Sequence, residues 1–146
     1  MYNFDYRVHF IVSHKSSDLS KYTNLIKGLP FEQITNGDDR YNKFGKKLNR
    51  KANLSYLKWR LHTEEEVSSE HQPLDKVIFS CINQISNQQA LIDEIHSLDV
   101  EMAIEIAVRP HDSYSVITIT PKLFESLSKN GIQIDMCFVV PPGRLY

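Results

Sequence analysis

Two cysteines in 146 residues, Cys81 and Cys137, are too few for a disulfide framework and lack the CxxC spacing of a structural zinc site. Both sit among apolar neighbours (VIFSCI and DMCFVV), so both are expected as buried free thiols. Long apolar runs are missing too, and none approaches the ~18–20 residues of a membrane span. The opening MYNFDYRVHF has no basic stretch leading into an apolar one, so no signal peptide is expected and the chain reads as cytoplasmic. Net charge is scarce as well, with 17 basic and 18 acidic residues and a formal charge of −1. Domains that live on nucleic acid are usually strongly basic, and this balance argues against that class.

What is present fits one domain, residues 1–146, with its core expected over about 6–140. A hydrophobic content of 41% beside 24% charged residues is that of an ordinary globular chain. The charge that exists is segregated. RYNKFGKKLNRK at 40–51 carries six basic side chains and no acid, whereas EEEVSSE at 64–70 carries four acids and no base. A dipolar surface follows, rather than a groove for a polyanion.

The hydrophobic period switches between two and 3.6 along the chain. Tyr6, Val8, Phe10 and Val12 alternate with Arg7, His9 and Ser13, with Ile11 breaking the pattern, as in a half-buried strand. SSDLSKYTNLIKG follows with an apolar stripe (Leu19, Tyr22, Leu25, Ile26) that predicts a short helix closed at Gly28. Residues 30–51 read as turn-rich, NGDD at 36–39 being the clearest turn, with a mobile basic connection at 40–51. ANLSYLKWRLHT predicts a strand with Leu57, Trp59 and Leu61 on its core side. Leu74, Val77, Ile78, Cys81, Ile82 and Ile85, then Leu91, Ile92 and Ile95, have helical spacing, and Ser86-Asn87 divides them into two helices. VEMAIEIAVRP alternates strictly, HDSY is a turn and SVITIT a return strand. Thr120-Pro121 starts a helix that Asn130-Gly131 ends, and IQIDMCFVV closes the fold as a strand.

The order is thus about β-α-β-β-α-β-β-α-β. Strands with one polar side imply a sheet covered by helices on one face only, so the expected class is α+β, a mostly antiparallel sheet with helices packed on one face. The other face would then carry Arg7 and His9, Tyr56, Lys58, Arg60 and His62, Glu101, Glu105 and Arg109, and Gln133 and Asp135. Such a face suits recognition of a protein, because rows of charge orient a partner and speed its association. Cross-strand ion pairs on a merely solvated face would have the same composition.

Catalytic motifs are absent. None of the six histidines forms an HxH or HExxH, and GxSxG is missing. Glu101 and Glu105 on one strand stand about 13 Å apart, too far for a carboxylate pair. No catalytic residue, metal or cofactor is expected. For the basic stretch, Tyr41 and Phe44 supply the aromatics of a nucleic-acid grip, whereas Trp59 alternates with core residues. Gly37 and Gly45 feed a strand instead of a helix, so they do not build a phosphate cradle.

Taken in order, the opening strand with a short helix ending LIKGLP, the NGDD turn, the basic run into SYLKWRL, the long helix, the paired-strand segment VEMAIEIAVRPHDSYSVITIT and the closing PKLFESLSKNGIQIDMCFVV resemble a bacterial domain-of-unknown-function family over roughly residues 6–140. The resemblance implies an α+β fold and supplies no catalytic residue. Proteins of this size and style are similar to the immunity proteins that neutralise bacterial toxins. The leading expectation is therefore a non-enzymatic protein-binding domain, an immunity protein facing a toxin domain, with no membrane partner. Its expected contacts are the basic stretch (Arg40, Lys43, Lys46, Lys47, Arg50) and the open face (Tyr56, Lys58, Arg60, Glu101, Glu105). The alternatives are a small-ligand-binding enzyme built on His9, His62 and an acid, and an RNA-binding module built on 40–51.

Overall fold

Strand β1 (Phe4–His14) holds the middle of the sheet because its alternation gives it one wholly apolar side. In the computed structural model, which describes residues 4–61, 67–68, 74–110 and 118–138, Tyr6, Val8, Phe10 and Val12 are all buried. β1 pairs antiparallel with β5 (Ser55–Arg60) on one side and with β7 (Glu101–Pro110) on the other. Outside β5 lies the short β2 (Glu32–Ile34), and outside β7 lies β8 (Ile132–Phe138), giving the order β2-β5-β1-β7-β8. A two-residue strand, β6 (Val67–Ser68), pairs with the start of β1. It falls within the expected acidic loop, most of which lies outside the described residues.

Helices α1 (Leu74–Ser86), α2 (Gln89–Ser97) and α3 (Pro121–Lys129) bury the stripes that the spacing predicts. The break between α1 and α2 falls at residues 87–88. Thr120 caps α3 by accepting the Leu123 amide at 3.3 Å, with Pro121 in the first turn. Gly131, at φ 66°, turns the chain from α3 into β8, a conformation that favours glycine. The helix stripes join the apolar sides of β1, β5 and β7 in one core cluster. Across it runs the row Trp59, Phe10, Ile104, Ile134, each residue in register with the next. The class is the expected one, α+β with a mostly antiparallel sheet.

Several elements depart from the sequence reading. The segment at 17–28 buries Leu19, Tyr22, Leu25 and Ile26 as expected, but as a 3₁₀ turn (Ser20–Tyr22) followed by bends. The Asp18 carboxylate accepts the Ser20 amide at 2.8 Å, and Tyr22 and Leu25 donate to the carbonyls three residues back. Such local bonds offer the backbone an alternative to the α-helix. Gln88 on the facing side donates to the Leu25 carbonyl, so that acceptor is satisfied without an α-helical partner. Residues 40–51 form a β-hairpin, not an irregular connection: β3 (Asp39–Tyr41) pairs with β4 (Lys47–Lys51). Asn42 makes its turn, accepting the Phe44 and Lys46 amides on its side-chain oxygen at 2.9 and 3.0 Å. No strand forms at 118–120, where Thr120 is committed to capping; residues 111–117, including the expected HDSY turn and the start of the return strand, lie outside the described residues. β8 therefore reaches β7 by a crossover through α3 and pairs with it in parallel.

Candidate functional site

The helices packed in the core cluster leave the second side of the sheet to the alternate residues of each strand. Registers place these in rows. Glu32, Lys58, Ile11, Ala103 and Gln133 form one row, and Arg60, His9, Glu105 and Asp135 form the next. Tyr56, Ser13 and Glu101 form a row on one side of these, while Arg7, Ala107 and Cys137 form a row on the other. On β7 the small side chains of Ala103 and Ala107 alternate with Glu101 and Glu105 on this face.

Charge on this face changes sign across the strands. Lys58 and Arg60 lie on β5 and Arg7 on β1, whereas Glu101, Glu105 and Asp135 lie on β7 and β8; at the other edge Glu32 of β2 is engaged by the Tyr56 hydroxyl. Arg40, at the base of the hairpin, joins the basic side. The Tyr56 hydroxyl is pushed up to about 12 by burial and by its hydrogen bond to the Glu32 carboxylate, and the Arg40 charge acts in the opposite direction. Lys43, Lys46, Lys47 and Arg50 are exposed farther out on the hairpin. Two of the hairpin's cations are engaged there, since Asp39 pairs with Lys47 at 3.4 Å and with Lys51. Phe44, 82% exposed at the tip, has the Lys43 ammonium 5.1 Å from its ring centre.

His9 sits at the centre. Its Nδ1 is 3.5 Å from Glu105 Oε1, and the ring of Phe31 lies 5.1 Å away, centre to centre. The same Phe31 ring has the Arg60 guanidinium 5.2 Å from its centre. Phe31 is fixed by its amide, which donates to the Lys58 carbonyl at 2.9 Å, yet it remains 47% exposed. Beneath it, His9 Nε2 is sealed from solvent with no hydrogen-bond partner among the described residues. Burial lowers the His9 pKa below the ordinary 6.5, and the Lys58 and Arg7 charges act the same way, against the upward pull of Glu105. A neutral ring with its free nitrogen covered is closed to substrate as it stands, which counts against general-base work.

The sign of that shift has a measurable consequence. As pH falls below 6.5 the unfolded chain takes up a proton at His9 before the folded chain does. Folding stability contributed by the neutral ring is therefore complete above 6.5 and is lost on acidification toward the lowered folded value. His9→Gln is expected to flatten this fall between about pH 7.5 and pH 5.5 in urea denaturation series. An unchanged slope would show that His9 does not carry it.

The cysteines divide. Cys81 is buried, and burial pushes its thiol up to about 12. Cys137, expected as buried, is exposed on the open face. The parity of β8 explains this, since Ile132, Ile134 and Met136 face the helices and the odd positions face away. Partial burial and then the neighbouring Glu105 raise the Cys137 pKa, which keeps the thiol protonated and a weak nucleophile. Among the described residues, no group of three or more His, Cys, Asp or Glu is placed to hold a metal ion. No helix among them is long and apolar enough to cross a membrane.

Of the ten residues that the sequence singles out, the structure gathers Arg40, Tyr56, Lys58, Arg60, Glu101 and Glu105 onto or beside one face and sets Lys43, Lys46, Lys47 and Arg50 apart on the hairpin. His62, paired with His9 in the enzyme alternative, lies outside the described residues, as does the side chain of Arg109. Phe31 escaped the sequence reading. The only signal for it was an apolar aromatic directly after Pro30 in a stretch otherwise dominated by turn residues, and no period marks it. Comparison with family models matched residues 4–140 to the family described as Domain of unknown function (DUF4279). No curated protein and no solved structure matched the chain.

Proposed function

We propose, for a chain that belongs to the DUF4279 family, a role as a non-enzymatic protein-binding domain that docks its partner on the open face of the sheet. One observation carries this: an aromatic ring, Phe31, lies half exposed over His9 and Arg60 on a face that runs from basic at β5 to acidic at β7 and β8. Aromatic residues, phenylalanine among them, and arginine are enriched at the cores of protein interfaces. A face polarised across its strands fixes the orientation in which an oppositely polarised partner can settle. The exposed cations of the hairpin extend the basic end and would steer an acidic edge of that partner. The immunity-protein role is the finer form of the proposal, with a bacterial toxin domain as the partner.

Capture from the cells that encode the chain tests this, using the full tagged chain at moderate salt with and without nuclease. One protein retained stoichiometrically after nuclease treatment is the expected result. If that protein poisons a host and co-expression of this chain relieves the poisoning, the toxin reading stands. Retention of nucleic acid alone, lost on nuclease treatment and falling steeply with salt, would replace the proposal with the RNA-binding alternative. Retention of nothing would overturn it in favour of a small ligand.

A further inference from the structure

The outer edge of β8 ends the sheet, and among the described residues nothing pairs with it. Proteins usually blunt such edges by shortness, proline, lysine or bulges. The opposite edge, β2, is blunted by its three-residue length. β8 has seven residues, IQIDMCF, with no proline or lysine and a single charge, Asp135. Beside it, Ile119, Phe124, Leu127, Ile132, Ile134 and Met136 line a hollow of about 550 Å³ between α3 and the strand. Phe124 on its wall is 63% exposed, and Phe138 at the end of β8 is 62% exposed.

We propose that this edge pairs antiparallel with the same edge of a second copy of the chain, about a two-fold axis through Ile134. Directly opposed residues of antiparallel strands share a face of the sheet, so the axis must pass through a residue position. An axis at Asp135 opposes two carboxylates, which is destabilising. An axis at Gln133 opposes two amides and leaves Asp135 facing Gly131. At Ile134 the pattern matches itself. Gln133 meets the partner's Asp135 twice on the open face, Ile134 meets the partner's Ile134, and Ile132 meets the partner's Met136 above the hollow. The polar half of this pattern already exists within one chain, where Gln133 Nε2 stands 3.3 Å from both Asp135 oxygens. The self-match favours a second copy over an unrelated peptide. Pairing in this way doubles the five-strand path and sets the two open faces side by side, with the helices on the far side.

Sedimentation velocity of the full chain over a concentration series tests the pairing. A reversible dimer is expected, and a monomer up to about 100 µM would overturn it. Gln133 is exposed, so its variants are expected to fold. Gln133→Glu opposes like charges twice and is expected to weaken the dimer roughly threefold to thirtyfold, whereas Gln133→Lys tightens it by a similar factor. A dimer indifferent to both changes places the contact elsewhere and overturns the β8 seam. Ile134→Cys in a Cys137→Ser background tests the register. Mild oxidation is expected to give a covalent dimer from this variant and far less from Asp135→Cys in the same background. The reverse preference would overturn the axis at Ile134.

Discussion

Replacing Trp59 with alanine is expected to lower folding stability by about 3–5 kcal/mol, the largest effect of any single change considered for this chain. The ring is 2% exposed and lies 5.4 Å, centre to centre, from Phe10, its register partner on β1. Its indole N–H donates to the Gly28 carbonyl at 3.3 Å, tying the segment that carries Leu19, Tyr22, Leu25 and Ile26 to the sheet. Removing the ring leaves a cavity in the middle of the core and cuts that tie. A loss of this size is a large share of the ~5–15 kcal/mol that holds a typical domain folded. Trp59→Phe retains much of the apolar volume and is expected to cost less than Trp59→Ala. Because Trp59 is the sole tryptophan, unfolding has to be followed by circular dichroism rather than indole fluorescence. A measured loss below about 1 kcal/mol for the alanine variant would mean that the ring does not occupy the core.

The second large effect is expected in binding. Against the captured partner, Phe31→Ala and Arg60→Ala should each weaken affinity by about 2 kcal/mol, close to thirtyfold, while Arg60→Ala leaves stability within about 0.5 kcal/mol and Phe31→Ala, half buried over His9, costs about 1 kcal/mol. Phe31 supplies apolar area already held in place, so little conformational freedom remains to be lost when a partner covers it. Arg60 is exposed and positioned against that ring, so truncating either side chain dismantles the same anchor. For this reason the double variant should lose less than the sum of the two single losses. Lys43→Ala, at the outlying hairpin, should mainly slow association and reduce its salt dependence. Titration calorimetry and stopped-flow binding separate these outcomes. If Phe31 and Arg60 are silent while Lys43 and Lys46 dominate, the working surface is the hairpin and not the sheet face.

How much of this was legible beforehand depended on the range of the interaction involved. α1, α2 and α3 were written in the spacing of Leu74–Ile85, Ile92–Ile95 and Leu123–Leu127. The two sides of β1, β5 and β7 were written in alternation, broken in β1 only by Ile11, because side-chain direction follows from the backbone period alone. The same period gave the membership of the open face, including His9, Lys58, Arg60 and Glu105. Reading Cys137 from its apolar neighbours instead of from the period misplaced it, because such neighbours imply burial only when a strand is covered on both sides, and β8 is not. The spacing of apolar residues misjudged residues 17–28, where it suited a helix but local side-chain bonds and the reach of Gln88 from the facing element favoured a tighter turn.

By itself, then, the sequence determined the class of fold, one-sided coverage of the sheet and the segregation of charge into runs. Each of these rests on contacts or periods only a few residues long. Tertiary structure alone decided the strand order, the parallel pairing of β7 with β8 and the hairpin that presents the basic run. It also decided the placing of Phe31 over His9 and Arg60, residues 22 and 29 positions away along the chain. Pairings between distant segments are selected by which apolar surfaces can be buried together, and no local period records that choice.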